Sequence, residues 1–569
     1  MGLGCMRLST DENRDLDVAL EAIAAAADAG ITVFDTAHSY GLGADELGHN
    51  EALLARALRA AGATERARIV TKGGMTRAGG AWVPDGRKKA IRADCEGSLA
   101  ALDGLPIDLY LIHAPDPRTP WRTSVRALAR LVDDGLVSHV GLANVNRPQL
   151  DEALELAPVA AVQVAISPYD DRALRGGVVE RCAEAGIAVI AHSPLGGPRR
   201  AGGLAKNDAL VKISDTHGAT PAEVALAWLL DLSPNVVAIP GARHPETARS
   251  AARAATLDLD AGERGLLARE LGEAHRAPHA RERRADADVL IVMGIPGAGK
   301  SRVAEEYVAR GYQRLNRDER GGSLRALASE LDELLAAGEQ RVVLDNTYLT
   351  RAARSHALDA ASRHGVATRC VWIDTPLAQA QVNLVERLLD RFGSLPTPAK
   401  LRLLARSEQG VLAPTSQMRS VRELEPPSID EGFAEVEQVP FARMPASTRT
   451  RVGVFVAAAV LRGSGWPEAL AQSDPAAPHL VFDWSPDGTL DALAPDVARL
   501  AADVAAPVES ALCPHPPGPP SCWCRPPLPG LPLAFAREHD VDPARSILIG
   551  AGPAHRTLAT TLGARYVAA

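Results

Sequence analysis

The sequence predicts an α/β protein of several domains: a (β/α)8 TIM barrel, then an α/β domain built on a phosphate loop, then a small α/β domain. Between residues 1 and 245, eight short apolar runs alternate with alanine-rich amphipathic segments, which is the pattern of such a barrel. A strand, a glycine-rich loop and a helix follow at 289–301. The chain of 569 residues is long enough for several separate cores.

Two stretches that lack apolar periodicity divide the chain. The segment 275–288 is highly charged, and a second break lies around 444–451. The expected domains are therefore 1–275, 286–445 and 450–569.

Composition narrows the classes of function. A net charge of −8 argues against a general nucleic-acid coat but leaves room for a local basic groove. Because neither a long apolar segment nor an N-terminal signal is visible, we expect a soluble, cytoplasmic protein without membrane contact. The seven cysteines do not suggest a disulfide framework. The oligomeric state is not indicated.

The eight apolar runs are predicted to be the barrel strands: MGLGCM, ITVFDTA, ARIVTKG, DLYLIHA, SHVGLAN, AVQVAI, IAVIAHSP and VVAIPG. In such a barrel the chemistry lies at the carboxyl ends of the strands. The residues found there are mainly polar: Asp35, Lys72, His113, Asn144, Gln163, Ser193 and the turn 239–241. They should meet on one rim.

These residues carry a resemblance to the aldo-keto reductase family, through GLGCMRL, FDTAHSYG, TKGG, YLIHAPDP, GLANV, AHSPLG and IPGARHPE. The resemblance implies NADPH-dependent reduction of a small carbonyl substrate by Asp35, Tyr40, Lys72 and His113. Carbonyl reduction needs an acid that protonates the developing alkoxide, and we expect a nearby Lys72 ammonium to lower the pKa of Tyr40 for that role. Asp35 would hold Lys72, and His113 would orient the carbonyl.

The same resemblance implies a cofactor site. The nicotinamide carboxamide would bind Asn144 and Gln163, and the diphosphate would lie near Ser193, Leu195 and Gly196. The turn that contains Ile239 and Gly241 would line the site, and Arg243 would bind an adenosine 2′-phosphate. The chain departs from many relatives at Arg249 and Ser250, where they have Glu-Asn.

The second domain opens with VLIVMGIPGAGKS, which matches the phosphate-loop pattern. The glycines Gly294, Gly297 and Gly299 would let backbone N–H groups close on phosphate oxygens. Lys300 would reach the outer phosphates of ATP, and Ser301 would offer a hydroxyl to Mg2+.

Downstream segments resemble the 5′-hydroxyl polynucleotide kinase domain of end-healing enzymes, through NRDE, LDNT and NLVERLL. The resemblance implies ATP-dependent phosphorylation of a nucleic-acid 5′-OH end. Asp318 would accept the proton of the hydroxyl, Asp345 would support Mg2+, and Arg387 and Arg391 on a lid would neutralise the phosphoryl group. The acceptor side would be formed by Asn346, Thr347, Arg351, Arg354 and Arg320. A kinase of a small metabolite remains the rival interpretation.

In the third domain Cys513, His515, Cys522 and Cys524 form a Cys3His set within CPHPPGPPSCWC. Such sets suit structural Zn2+. The surrounding segments VFDWSPDGTL and SILIGAGPAHRTL resemble haloacid-dehalogenase (HAD-like) phosphatases with a zinc loop, but with the catalytic carboxylates lost. Ser485 replaces one aspartate of the Asp-x-Asp pair, a proline replaces the lysine of CRKP, and Ala551 and His555 replace metal-binding aspartates. The resemblance implies an inactive phosphatase that binds nucleic-acid ends, positions the kinase or mediates assembly.

The main hypothesis is a bifunctional enzyme that combines an NADPH-dependent reductase with a 5′-hydroxyl kinase. One alternative couples the reductase to a kinase of a small alcohol, because carbonyl reduction creates a hydroxyl. Another treats the reductase as an NADPH sensor that regulates the kinase.

Overall fold

The computed structural model describes residues 1–271, 287–440 and 449–569. The chain divides into two compact units, Met1–Ala277 and Pro278–Ala569. Most of both predicted linkers lies outside the described residues.

The first unit is a parallel barrel of eight strands, as predicted. They are β1 (Gly2–Gly4), β2 (Val33–Asp35), β3 (Arg68–Gly73), β4 (Leu109–Ile112), β5 (His139–Ala143), β6 (Val159–Ala165), β7 (Ala188–His192) and β8 (Val236–Ile239), paired in that order. The Gly4 amide donates to the Pro240 carbonyl at 3.0 Å, which links β1 to the end of β8. A short hairpin, Met75–Thr76 with Val83–Pro84, follows β3.

Apolar side chains from six strands fill the barrel interior: Val70, Leu111, Ala143, Ala161, Ile190 and Ile239. The α-helices are Arg7–Thr10, Leu16–Asp28, His49–Ala60, Lys88–Ala101, Trp121–Asp133, Arg147–Leu154, Arg172–Arg175, Val178–Glu184, Asp208–His217, Pro221–Asp231, Pro245–Ala254 and Ala261–Leu271. Local sequence sets their starts: Thr220 and Glu223 form a capping box before Pro221, and Asn146 and Gln149 form another. The packed interior leaves chemistry to the rim.

The second unit contains two parallel five-stranded sheets. The first consists of β9 (Asp288–Met293), β10 (Gln313–Leu315), β11 (Arg341–Asp345), β12 (Ala367–Asp374) and β13 (Glu435–Pro440), in the order β10-β11-β9-β12-β13. Its α-helices are Lys300–Val308, Arg317–Arg320, Leu324–Ala336, Arg351–Arg363, Leu377–Phe392, Pro398–Ser407 and Pro414–Glu423. The phosphate loop therefore leaves the central strand β9, between β11 and β12.

The second sheet consists of β14 (Val454–Ala457), β15 (His479–Trp484), β16 (Val508–Cys513), β17 (Ile547–Gly550) and β18 (Arg565–Ala568), in the order β16-β15-β14-β17-β18. Its α-helices are Ala458–Leu461, Trp466–Leu470, Ala494–Ala501, Gly530–Glu538 and Pro553–Leu562. This is the small α/β domain that the sequence predicts.

The helix Leu377–Phe392, called the lid helix below, joins the core of the C-terminal sheet. Its residues Leu384, Val385, Leu388 and Leu389 are buried in one apolar cluster with Phe455, Trp523, Phe535 and Leu558. At its C-terminal half Glu386 also pairs with Arg449 at 2.9 Å. The apolar face of the predicted lid helix thus packs into the core of the C-terminal sheet.

Within the described ranges, the helices are all too short or too polar to cross a membrane.

Candidate active sites

On the barrel rim the structure brings three of the four predicted tetrad residues into direct contact. The Lys72 ammonium donates to both oxygens of Asp35 at 2.8 Å, to the Thr36 carbonyl at 2.7 Å and to the Tyr40 hydroxyl at 3.2 Å. Lys72 has no exposed surface, and Asp35 and Tyr40 are buried as well. Because β2 and β3 are neighbours, their carboxyl ends place this ion pair beneath the Tyr40 hydroxyl.

The expected direction of the Tyr40 pKa is wrong. Burial raises the pKa of the Tyr40 phenol above its ordinary value, Lys72 opposes this shift, and Asp35 adds to it. For Lys72, burial favours the neutral amine, but Asp35 and Tyr40 outweigh it, so its pKa is raised. The geometry thus supplies a protonated phenol beside a permanent cation.

His113 completes the predicted tetrad and lies against Tyr40, with ring centroids 5.6 Å apart. Burial, with the Lys72 and His192 charges, holds the pKa of His113 well below its ordinary value. The ring is therefore neutral at physiological pH. Its Nδ1 lies 3.4 Å from the Ser39 hydroxyl, and if Ser39 donates there, Nε2 carries the proton and can donate to a carbonyl.

Two residues that the sequence analysis missed complete the surroundings of Tyr40 and Asn144. Trp82, on the hairpin after β3, places its ring 5.9 Å from Tyr40 and 6.0 Å from His113. His192 bonds Asn144 Oδ1 through Nε2 at 3.0 Å. Trp82 follows a Gly-rich turn and His192 ends a strand, but a single Trp or His in such places carries little signal alone.

The predicted cofactor residues lie at the ends of β5 to β8. Asn144 and Ser193 both have positive φ, at 58° and 52°, and the Asn144 amide donates to the His113 carbonyl at 3.0 Å. Gly196 and Gly197 are successive left-handed residues in the loop after Leu195, where a Cβ on Gly196 would meet Tyr169 at 2.4 Å. Left-handed turns direct neighbouring N–H groups to one side, which suits a diphosphate.

Two other predicted cofactor residues, Gln163 and Arg243, already have partners, and so does Ser250. Gln163 is buried and donates to Asp35 Oδ1 at 2.6 Å, so it joins the tetrad network. Arg243 pairs with Asp11 at 3.3 Å, after the turn that carries Ile239 and Gly241. Ser250 donates to Glu223 at 2.8 Å, which gives the departure at this position a structural role.

Four side chains donate hydrogen bonds to the backbone carbonyls of the phosphate loop. Lys300 donates to the carbonyls of Gly294 and Ile295 at 3.1 and 3.0 Å, and Gln417 donates to that of Pro296 at 3.0 Å. Asn383 and Thr375 donate to the carbonyls of Gly297 and Ala298 at 2.8 and 3.0 Å. Peptide N–H and C=O groups point in opposite directions, so this arrangement turns loop amides toward the open side, as phosphate oxygens require.

Charged residues surround this loop. Burial lowers the pKa of Lys300 to about 8, a shift that the carboxylates of Asp345 and Asp318 oppose and Arg387 reinforces. Asp318 is exposed in the helix Arg317–Arg320, and Ser301 lies in the first turn of the helix after the loop. Asp345 is buried at the end of β11, where Arg314 and Asn316 already bond its Oδ2.

Two of the arginines expected at the acceptor side serve the protein core or its surface instead. Arg354 is fully buried, bonds both oxygens of Glu431 at 2.7 and 2.6 Å and donates to the carbonyls of Tyr348 and Glu425. Arg351 pairs with Asp430 at 2.6 Å. The prediction for Arg354 is therefore wrong, because a buried guanidinium cannot face a macromolecular acceptor.

Arg320 and Arg391 also have protein partners. Arg320 pairs with Glu330, and Arg391 pairs with Glu408 and donates to the Gln409 carbonyl at 2.9 Å. Of the two predicted lid arginines, Arg387 is the one whose charge acts on Lys300.

The Cys3His set of the C-terminal domain forms one cluster, called the knuckle below. The four donor atoms lie within 4.8 Å of one another. Cys513 Sγ is 3.4 Å from Cys524 Sγ and 3.7 Å from Cys522 Sγ, and His515 Nδ1 is 3.4 Å from Cys513 and 3.2 Å from Cys524. Zinc-bound donors sit about 3.4–3.8 Å apart in a tetrahedron, so this donor set fits Zn2+.

The positions compared with a phosphatase carry few carboxylates. Asp483 is held by Arg462 at 3.2 Å, and Arg462 is shared with Asp496 at 2.9 Å. His555 approaches Phe482, with ring centroids 5.8 Å apart, and accepts from the Ala551 amide at 3.2 Å. The Asp483 carboxylate is thus already paired with an arginine.

A parallel barrel with a buried Lys–Asp pair beneath a tyrosine on its catalytic rim defines an oxidoreductase of the barrel class. The family model "Aldo/keto reductase family" matches residues 1–267. A Glycine max protein named "Probable aldo-keto reductase 1" is 33% identical over 273 residues, which cover 42% of this chain and 76% of that one. The chain therefore belongs, through its N-terminal unit, to the aldo/keto reductase family.

Two further proteins are similar to the N-terminal unit. An aldo-keto reductase of Strobilurus tenacellus is 30% identical over 309 residues, which cover 49% of this chain and 88% of that protein. A crystal structure of an aldo/keto reductase from Klebsiella pneumoniae in complex with NADP and acetate is 27% identical and covers 48% of this chain and 92% of its own, with a TM-score of 0.42. In the second unit, the family model "AAA domain" matches residues 289–408, which contain the phosphate loop.

Proposed function

We propose that the barrel reduces small aldehydes or ketones with NADPH, and that the second unit transfers the γ-phosphoryl group of ATP to a hydroxyl. The observation that carries the first part is the contact of Lys72 with both Asp35 and Tyr40 on the catalytic rim.

In this mechanism the substrate carbonyl lies between Tyr40 and His113. NADPH, when bound, supplies the hydride that adds to the carbonyl carbon. As the carbon–oxygen double bond opens, its electron pair moves to oxygen, and the Tyr40 hydroxyl gives that oxygen its proton. The Lys72 cation stabilises the resulting phenolate, and Asp35 keeps Lys72 charged and in place. Neutral His113 donates a hydrogen bond to the same oxygen.

The chain's residues fit the cofactor at its two ends. Asn144 would hold the nicotinamide carboxamide, with Gln163 below it, and Ser193 with the left-handed loop at Gly196 and Gly197 would hold the diphosphate. Arg243 would bind the 2′-phosphate in place of Asp11, and this pairing favours NADPH over NADH.

Oxidation of NADPH and NADH by the wild-type protein, followed at 340 nm with 4-nitrobenzaldehyde, tests the reductase. Preference for NADPH, reduced by Arg243→Ala, supports the proposal. Absence of aldehyde-dependent oxidation with either cofactor contradicts it. Cofactor binding without turnover, coupled to a changed rate of phosphoryl transfer by the second unit, would instead support the sensor alternative.

The phosphate loop supports the proposed phosphoryl transfer. Its carbonyls accept hydrogen bonds from the side chains of Lys300, Asn383, Thr375 and Gln417. Its amides and Lys300 would bind ATP phosphates, and Ser301 and Asp345 would hold Mg2+. Asp318, exposed near Lys300, would take the proton from the attacking hydroxyl, and Arg387 would neutralise the phosphoryl group. The hydroxyl is proposed to be a nucleic-acid 5′ end, with a small alcohol as the alternative.

Transfer of labelled γ-phosphate to 5′-OH RNA, 5′-OH DNA and a panel of small alcohols separates these acceptors. Lys300→Ala and Asp318→Asn should abolish transfer. Nucleic-acid labelling should fall steeply with salt, because acceptor phosphates are engaged beyond the reacting end. Phosphorylation of an alcohol without oligonucleotide labelling would contradict the nucleic-acid assignment.

The C-terminal domain is proposed to position the kinase, with the knuckle holding Zn2+. Two contacts favour this role over binding or assembly. The lid helix is buried in this domain's core, and Asn383 of the same helix bonds the phosphate loop at Gly297. The lid helix thus links the C-terminal core to the ATP site.

A further inference from the structure

Arg77, a buried cation beside the reductase site, has no carboxylate partner among the described residues. Only 7% of its surface is exposed. Its Nη2 donates to the Leu42 carbonyl at 3.1 Å, while its Nε is buried without an acceptor in the described part of the chain. A buried charge with a donor left without an acceptor is costly unless a ligand completes it.

Two neighbouring arginines, unlike Arg77, each pair with an aspartate. Arg87 pairs with Asp85 at 2.5 Å, and Arg118 pairs with Asp116 at 3.1 Å. Both of these side chains are exposed, at 75% and 64%. Arg77 is therefore the exception in this region: it is more buried than either neighbour, yet it lacks their acidic partner.

The position of Arg77 connects it to catalysis. It follows the hairpin strand Met75–Thr76, and its guanidinium carbon lies 4.0 Å from the centre of the Trp82 ring. The rings of Tyr40 and His113 also lie against that ring. One indole ring therefore separates the guanidinium from the two residues that would bind the reacting carbonyl.

We infer that Arg77 recognises a carboxylate on the substrate, so that the natural substrate is a small carbonyl compound that carries an acid group beyond its reacting end. This inference rests on the proposed reductase function. A carboxylate matches the planar fork of arginine, and Trp82 provides an apolar wall for the atoms between the two groups. The competing role is purely structural: Arg77 ties the Tyr40 loop to the hairpin through Leu42.

Two aldehydes of similar shape separate the roles: 4-carboxybenzaldehyde is anionic, and 4-nitrobenzaldehyde is neutral. Arg77→Met keeps much of the volume and removes the charge. This variant should lower kcat/KM for 4-carboxybenzaldehyde about 10- to 100-fold, because only that substrate loses charged hydrogen bonds. Its kcat/KM for 4-nitrobenzaldehyde should change less than about threefold. Arg77→Lys should recover part of the difference.

Equal losses for both aldehydes would overturn the inference and leave the reductase proposal intact. Failure of the wild-type protein to reduce either aldehyde would contradict the reductase itself. If Arg77→Met does not fold, the wild-type protein still gives an answer: the KM for 4-carboxybenzaldehyde should be at least about tenfold lower than that for its uncharged amide, 4-carbamoylbenzaldehyde, because the aldehyde of each occupies the Tyr40 site and only the distal group differs. Equal KM values for the two would overturn the assignment to Arg77.

Discussion

The indole Nε1 of Trp523 donates to the carbonyl of Leu412 at 3.0 Å. Trp523 lies between two knuckle cysteines, Cys522 and Cys524, and Leu412 follows the segment whose Gln409 carbonyl accepts from Arg391 of the lid helix. The knuckle is thus attached to a segment that contacts the lid helix, whose Asn383 bonds the phosphate loop. A metal that orders the knuckle should also order this segment.

Trp523→Phe removes that hydrogen bond and keeps all four metal ligands. We expect unchanged zinc content, faster hydrogen exchange of amides in 408–413 and weaker ATP binding, by about five- to tenfold for one lost hydrogen bond. Cys524→Ser should cause the same exchange change together with loss of zinc. Slow exchange in 408–413 in both variants would contradict the positioning role.

Gly297→Ala tests the phosphate loop. Gly297 has a φ of 87°, and a Cβ there would lie 2.4 Å from the Ala380 carbonyl of the lid helix. We expect loss of ATP binding by at least about tenfold, measured by fluorescence titration, because the loop must shift. Gly299→Ala is the matched control: its φ is similarly positive, but its Cβ would meet nothing within 4 Å. Equal losses of ATP binding in the two variants would mean that the strain of a positive φ, and not the contact with the lid helix, causes the loss.

Arg354→Met should destabilise the second unit by about 3–5 kcal/mol, because it leaves the buried Glu431 carboxylate without its partner. The measurement is the free energy of unfolding of the second unit in urea. Arg351→Met is the control and should cost less than about 1 kcal/mol, because its partner Asp430 is half exposed. If Arg354→Met lowers the free energy of unfolding by a similarly small amount, the Arg354–Glu431 pair is not buried in solution.

The barrel should lose stability in mild acid. Burial, with Lys72, lowers the pKa of His192 from 6.5 to about 4. The unfolded chain therefore binds a proton that the folded chain does not, and stability is lost as pH falls below the unfolded value. For His192 the loss between pH 7 and 5 is at most about 2 kcal/mol. His192→Gln should show a smaller decrease in thermal midpoint over this range, and an identical decrease would contradict the shift.

The sequence predicted the barrel and the rim closely, because strand ends in a parallel barrel converge, and Asp35, Lys72 and His113 lie at or next to the ends of their strands. It misjudged Arg354, since an i,i+3 pair of arginines after an apolar strand looks the same whether the helix faces solvent or core. The buried partner, Glu431, lies far along the chain. It also missed Arg77 and Asn383, whose roles depend on tertiary contacts with Trp82 and the Gly297 carbonyl.

The sequence also predicted the wrong direction for the Tyr40 pKa. A cation next to a phenol suggests a lowered pKa, but the degree of burial decides the net direction, and burial is a property of the fold. The sequence also did not indicate which core the lid helix joins. From the sequence, the apolar face of the lid helix predicts only that this face is buried. The structure shows that it is buried against the C-terminal sheet.

The most direct test of the central claim is NADPH oxidation by Tyr40→Phe beside the wild-type protein, with 4-nitrobenzaldehyde as substrate. The phenyl ring keeps the contacts with Trp82 and His113 and removes only the proton donor. We expect kcat to fall by at least about 100-fold while quenching of protein fluorescence by NADPH is unchanged. Wild-type turnover in Tyr40→Phe would contradict the assigned acid, and loss of NADPH binding would show that the tetrad is misplaced.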